Sequence, residues 1–147
     1  MINTRQGVIL LVIAATIAFL TALAHLSCIY FGPQCYEIQM APPDIVESAW
    51  AGTLLAPVGA VVVSIIFAVL GCYALSGAKL MRKLPLLKFG LYSIAVVCII
   101  RGILPLQLWL RHPEKVSAAV LLVGLVWLGV GLCYLLGYRA VQSKAAT

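Results

Sequence analysis

Long apolar stretches alternate with short polar gaps along this 147-residue chain. The stretches cover roughly residues 7–27, 51–75, 88–110 and 116–138. Each contains about 20 or more residues, which at about 1.5 Å rise per residue can cross the roughly 30 Å hydrocarbon core of a bilayer. The pattern therefore predicts an all-α membrane protein: one domain over residues 1–147, an up-down-up-down bundle of four transmembrane helices, with a long loop over residues 28–50.

The composition supports the same class of protein. Hydrophobic residues make up 64% of the chain and charged residues 10%, whereas soluble domains have about 45–50% and about 25%. A water-facing surface of normal size is therefore excluded, and no separate soluble domain is expected. The basic residues are few and are not interleaved with exposed aromatic side chains, so the net charge of +6 does not indicate a nucleic-acid partner.

The charges are sorted between the gaps. All four carboxylates fall in the first and third gaps, at Glu37, Asp44, Glu47 and Glu114. Seven of the ten basic residues fall at the N-terminus, in the second gap or after the fourth stretch: Arg5, Lys79, Arg82, Lys83, Lys88, Arg139 and Lys144. By the positive-inside rule, both termini and the second gap are cytoplasmic, with residues 28–50 and 111–115 outside. The basic second gap is interpreted as a topology determinant that also touches anionic lipid.

The first stretch has features of a cleaved signal peptide. Residues 1–5 form a charged segment, residues 21–24 resemble a small-residue cleavage site, and residues 25–28 faintly resemble a lipoprotein box. However, the apolar run is longer than the roughly 7–15 residues of a signal-peptide core. We therefore predict a retained transmembrane helix.

Prolines and caps predict several helix ends. Asp44 follows a double proline and precedes Glu47 by three residues, a spacing typical of an N-cap with its capping-box partner. Pro57 is expected to kink the outer half of the second span, and the third span is expected to end near Pro105.

Arg101 is the one basic residue that lies away from the ends of an apolar stretch. A charge at that depth costs about 2.5–3.5 kcal/mol on insertion scales, so such residues usually face a partner or a functional site. Glu47 and His25 are predicted at the same outer side, and Thr21, His25 and Cys28 share one helix face by their spacing. We predict an outer pocket in which Arg101 donates to an anion or carbonyl, Glu47 balances its charge and His25 forms a second polar wall.

Simpler interpretations of these residues stay open. Arg101 can serve as a structural ion pair or as an anchor whose guanidinium reaches the interface. His25 alone can be an interfacial histidine bonded to a loop carbonyl.

Cys28 and Cys35 flank a Gly-Pro turn on the predicted outer side, which is oxidising in a bacterium. A structural disulfide that pins the loop is the first interpretation. A thiol–disulfide redox pair is the second, although quinone-coupled thiol oxidases with four helices carry a Cys-x-x-Cys that is absent here. A metal site with His25 and His112 is the third, but its spacing matches no metal signature, so no metal is expected. The remaining cysteines, Cys72, Cys98 and Cys133, are interpreted as core.

Several short segments carry a resemblance to a known group. They are Ala-His-Leu-Ser-Cys at 24–28, Gly-Pro-Gln-Cys-Tyr at 32–36, Cys-Tyr-Ala-Leu-Ser-Gly at 72–77, Arg-Lys-Leu-Pro-Leu-Leu at 82–87, and Arg101-Gly102. In these the chain resembles a group of small four-span inner-membrane proteins of Proteobacteria, usually labelled hypothetical. The resemblance implies a bacterial inner-membrane setting and no particular activity or cofactor.

Three functions follow from these observations. The first is a non-enzymatic membrane protein that binds a lipid, quinone or other small amphiphile in its outer pocket, or acts as an accessory subunit. The second is a redox enzyme using Cys28 and Cys35. The third is a structural partner whose small-residue helix faces pack on another membrane protein or a second copy.

Overall fold

The computed structural model describes residues 3–143, apart from the side chain of Lys115. Within this range the chain forms six α-helices and one 3-10 turn, and no strand. The helices are α1 (Thr4–Phe31), α2 (Pro33–Ile38), α3 (Pro43–Trp50), α4 (Leu55–Gly77), α5 (Leu87–Arg111) and α6 (Ala118–Ser143). Four of them, α1, α4, α5 and α6, are long and apolar enough to cross a membrane. The predicted all-α, four-span class is therefore confirmed. Lys144, which the charge pattern assigned to the cytoplasmic side, lies outside the described residues.

The chain divides into two compact units. One joins the chain up to Thr16 with the chain from Cys72 onward, and the other is Ile17–Gly71. The boundary crosses α1 and α4, so each of these helices contributes to both units.

Close contact between α5 and α6 organises the first unit. A Cβ atom added at Gly102 would lie 2.6 Å from the backbone nitrogen of Leu128, and one added at Gly131 would lie 2.9 Å from that of Ile99. Such distances leave no space for any side chain larger than glycine. The backbones of α5 and α6 therefore approach closely, as small residues allow in membrane helices.

The long loop of the second unit is folded. It contains α2 and α3, which pack around a buried cluster of Cys28, Tyr36, Ala56 and Ala60. Burial raises the pKa of the Tyr36 hydroxyl above its ordinary value. Deeper in the unit, the buried Ser64 hydroxyl donates to the carbonyl of Ala22, at 2.9 Å, and so joins α4 to α1.

Two predicted helix ends and one predicted kink differ from the structure. Helix α3 begins two residues earlier than predicted, because Pro43 with its fixed φ occupies the first helical position, and Pro42 rather than Asp44 is the N-cap. Asp44 lies in the first turn, where its charge favours the helix dipole. Pro57 lies in the first turn of α4, where a missing N–H removes no helical hydrogen bond, so it does not interrupt the helix. Helix α5 continues through Pro105 to Arg111.

Candidate functional site

The end of α4 has an unusual residue in a common cap. The amide of Leu80 donates to the carbonyl of Leu75 at 3.0 Å, and the amide of Lys79 donates to that of Ser76 at 3.1 Å. These two bonds define a Schellman motif, whose left-handed position is most often glycine. Lys79 takes that position with φ 62°. A lysine therefore occupies the left-handed position of the cap, where glycine would have the least backbone strain.

Side chains then fix the loop that follows. The Ser76 hydroxyl is buried; it donates to the carbonyl of Arg82 at 3.1 Å and accepts from the amide of Leu84 at 3.0 Å. The Tyr73 hydroxyl donates to the carbonyl of Pro85 at 3.2 Å. The loop between α4 and α5 is therefore held in one conformation by hydrogen bonds from α4.

A cavity of about 1180 Å³ lies between this loop, the first half of α5 and the end of α6. All of its lining residues belong to the first unit. The polar part of the wall comprises Ser76, Lys79, Lys83, Lys88, Tyr92, Ser93, Tyr138 and Gln142. The apolar part includes Phe89, Val96 and Val97 on α5.

The cavity is amphipathic along its length. Lys79 and Lys83 come from the loop and Lys88 from the first turn of α5, so the cations collect at the loop end. Val97 follows Lys88 by nine residues on the same helix, which places it roughly 13 Å further along the axis. None of the described residues that line the cavity carries a carboxylate. Its loop end is therefore positive, and its deeper end is apolar.

Uncharged hydrogen-bonding groups lie between these two ends. The rings of Tyr92 and Tyr138 meet edge to face with centroids 5.8 Å apart, and the amide of Gln142 donates to the Tyr138 hydroxyl. These contacts position aromatic hydroxyls where the wall changes from charged to apolar. Such an arrangement matches a molecule with a polar head and a hydrocarbon tail.

Arg101 does not line this cavity. It is exposed on α5, ten residues before the helix ends at Arg111, or roughly 15 Å along the axis. Pro105, one turn later, has no N–H to donate to the Arg101 carbonyl. Arg101 belongs to the first unit, whereas Glu47 and His25 belong to the second. The predicted pocket of these three residues stays a prediction.

Within the second unit, His25 and Glu47 have different surroundings. The Nδ1 of His25 lies 2.8 Å from the carbonyl of Thr21, one turn earlier on α1, and therefore carries the donated proton. The His25 ring also packs on Phe67, with centroids 5.4 Å apart. Glu47 is exposed on α3. His25 is thus oriented by its own helix rather than by the loop carbonyl of the simpler interpretation.

Cys28 and Cys35 form a disulfide, with their Cα atoms 5.0 Å apart. It joins the end of α1 to α2, as expected of a bond that pins the long loop. The side-chain amide of Gln39 donates to the carbonyl of Ala24 at 2.6 Å and lies 2.9 Å from the sulfur of Cys28. Cys28 is only 1% exposed, so the bond is covered by its neighbours on the Cys28 side.

Together, the four long helices and their apolar exterior define an α-helical, multi-pass membrane protein. Side chains such as Leu122, Val97 and Leu23 are more than 60% exposed, as expected for surfaces that face lipid rather than water. Comparison of the chain with protein-family models, curated proteins and solved structures finds no match in any of the three. The site must therefore be interpreted from its own chemistry.

The cavity at the basic loop between α4 and α5 was not predicted from the sequence. Lys79, Arg82 and Lys83 were interpreted as topology determinants because loop cations of membrane proteins usually have that role. One signal was available: Tyr92 and Ser93 place hydroxyls inside an apolar stretch, just over one turn after Lys88. The left-handed conformation of Lys79 had no such signal, since it arises from hydrogen bonds at the end of α4.

Proposed function

We propose that this chain is a non-enzymatic protein of a bacterial inner membrane that binds a membrane amphiphile. The observation that carries the proposal is the cavity of about 1180 Å³, with cations at one end and apolar side chains at the other. Ligand sites commonly enclose about 300–1,000 Å³ of mostly apolar space with a few polar groups. The cavity is therefore large enough for a lipid headgroup and part of its tail.

The position of the cavity on the helices supports the same function. Its apolar wall includes Val96 and Val97, which are 54% and 63% exposed on a helix long enough to cross the bilayer. A tail lying there would stay in contact with hydrocarbon on its outer side. An amphiphile can therefore enter from the membrane rather than from water.

The bacterial setting rests on sequence observations. The sorting of basic residues gives only the orientation in the membrane, and the bacterial setting comes from the resemblance to small proteobacterial inner-membrane proteins. The amphiphile site proposed from the geometry lies at the basic loop. This loop, rather than the outer pocket predicted around Arg101, is therefore the first place to test.

Filling the cavity tests the proposal. Val96→Trp would place a large ring where the tail is proposed to lie, whereas Val126→Trp adds the same ring at an exposed α6 position that does not line the cavity. After purification in mild detergent, native mass spectrometry would detect retained amphiphiles. We expect wild type and Val126→Trp to retain a bound lipid-sized molecule and Val96→Trp to lose most of it. Equal retention by both variants would contradict the proposal.

A further inference from the structure

We infer that the amphiphile held at the basic loop is an anionic phospholipid. Its phosphate would lie among Lys79, Lys83 and Lys88, and its acyl chain along Phe89 and Val96. This inference rests on the proposed function and adds the chemical class of the ligand. The ligand would come from the bilayer leaflet that faces the loop between α4 and α5.

Charge is the first argument. Three lysines line the loop end, and among residues 3–143 no carboxylate lines any part of the cavity. Lysine binds phosphate as a compact point charge, and a basic residue near an anionic membrane surface contributes roughly fivefold in affinity. A zwitterionic lipid would add its own cation to these three lysines, so the site should select a headgroup with net negative charge.

The backbone of Lys79 is the second argument. Helix α3 ends in the same kind of cap, with Gly52 in the left-handed position at φ 67°. After α2 and α4 the same left-handed position is taken by Met40 and Lys79, which adopt it despite carrying a side chain. Strain of this kind clusters at ligand sites. Lys79, which has this conformation, is one of the residues that line the cavity.

Distance along α5 is the third argument. Lys88 lies in the first turn of α5, where a transmembrane helix enters the headgroup region. Val96 is eight residues later, or roughly 12 Å along the axis. The charged and apolar ends of the cavity are thus separated along the helix axis. The phosphate and the acyl chains of a phospholipid in the bilayer are separated in the same direction.

The experiment compares two lipids bound to the full chain. The protein in mild detergent receives equal amounts of phosphatidylglycerol and phosphatidylcholine, and native mass spectrometry measures the retention of each. The variants are Lys83→Gln and Lys88→Gln. Arg82→Gln is the matched control, because it removes an equal charge from the same exposed loop without removing a cavity-lining side chain.

We expect wild type and Arg82→Gln to prefer phosphatidylglycerol. Lys83→Gln and Lys88→Gln should each lower its retention by roughly fivefold without lowering that of phosphatidylcholine. If all four proteins retain both lipids equally, the anionic class is wrong, while loss of both lipids from Val96→Trp would still support the proposed function. If Val96→Trp also retains both, the proposed function fails as well.

Two further arms separate folding and ligand source from charge. Lys79→Gly should raise the melting temperature, because glycine relieves the left-handed strain, and should still reduce phosphatidylglycerol retention. If the melting temperature and the phosphatidylglycerol retention both rise, or both fall, the proposed role of Lys79 is wrong. Glycerol 3-phosphate added in millimolar excess should not displace the lipid. Displacement would show that a soluble phosphate, not a phospholipid, is the ligand.

Discussion

Lys79 and Arg101 are both cations, but the backbone has a different conformation at each of them. Lys79 ends a helix in a left-handed conformation and lines a cavity. Arg101 lies inside α5, one turn before Pro105. The carbonyl of Arg101 loses the helical donor that any residue other than proline would supply at 105. Arg101 therefore adds both a charge and an unusual backbone acceptor to a segment of apolar helix.

The pairing of Arg101 with Glu47 can be measured by a double-mutant cycle. Arg101→Gln and Glu47→Gln would each be made alone and together, and the free energy of unfolding would be followed by SDS titration in mixed micelles. If the two charges pair, the single changes should fail to add by about 0.5–3 kcal/mol.

Glu114 provides the control for that cycle. It is exposed and lies 3.5 Å from His112, to which it is joined as an ion pair when the histidine is protonated. Arg101→Gln and Glu114→Gln should therefore add. Additivity in the cycle with Glu47 as well would remove the predicted outer pocket.

At the scale of the helix, two glycines of the first unit make a matched pair. A Cβ atom at Gly102 would lie 2.6 Å from the backbone of Leu128, whereas one at Gly129 would meet nothing within 4 Å. Gly102→Ala should therefore push α5 and α6 apart and destabilise the protein by about 1–3 kcal/mol. Gly129→Ala should be neutral or stabilise it by up to about 1 kcal/mol, because alanine favours the helix.

Unfolding in mixed micelles would distinguish these two variants. Equal effects would mean that the contact between α5 and α6 does not limit stability. The result would also test the third function predicted from the sequence, since glycine faces already filled within the chain are not available to another protein.

The disulfide also contributes to stability at the scale of the helices. It closes a short loop between Cys28 and Cys35, a sequence separation of 7. By the chain-entropy relation, such a loop contributes about 2.5 kcal/mol to stability. Replacing both cysteines by alanine should lower the free energy of unfolding by about that amount and leave lipid retention at the basic loop unchanged.

The same variant tests the redox alternative. With the pair removed, a reducing agent should cause no further loss of stability, and wild type should keep its disulfide in the presence of a thiol partner. Rapid exchange of the wild-type disulfide under those conditions would favour thiol chemistry over a structural role.

How far the sequence predicted these elements depends on what determines each one. Hydrophobic length predicted the four long helices, because a span must match the bilayer wherever it occurs. The end near Pro105 was wrong, since membrane helices tolerate proline where neighbouring groups compensate. The folded helices α2 and α3 could not be foreseen as a unit, because their stability comes from the cluster around Cys28 and Tyr36 rather than from local propensity.

At the scale of the whole molecule, the charge pattern and the cavity both make the orientation of the chain in the membrane important. The basic loop that lines the cavity is predicted to be cytoplasmic. The lysines would then face the leaflet in which anionic lipids carry the attractive surface potential. The lipid assignment therefore depends on orientation, which labelling of single introduced cysteines can determine.

Asp44 and Arg82 suit this measurement because both are exposed and neither lines the cavity. A membrane-impermeant maleimide should label Asp44→Cys in intact cells and Arg82→Cys only after permeabilisation. The native Cys72, Cys98 and Cys133 lie within the spans, and wild type measures their background. The reverse pattern would turn the cavity toward the outer leaflet. The three lysines would then have to select their lipid by headgroup charge at the site alone, without the surface potential of the cytoplasmic leaflet.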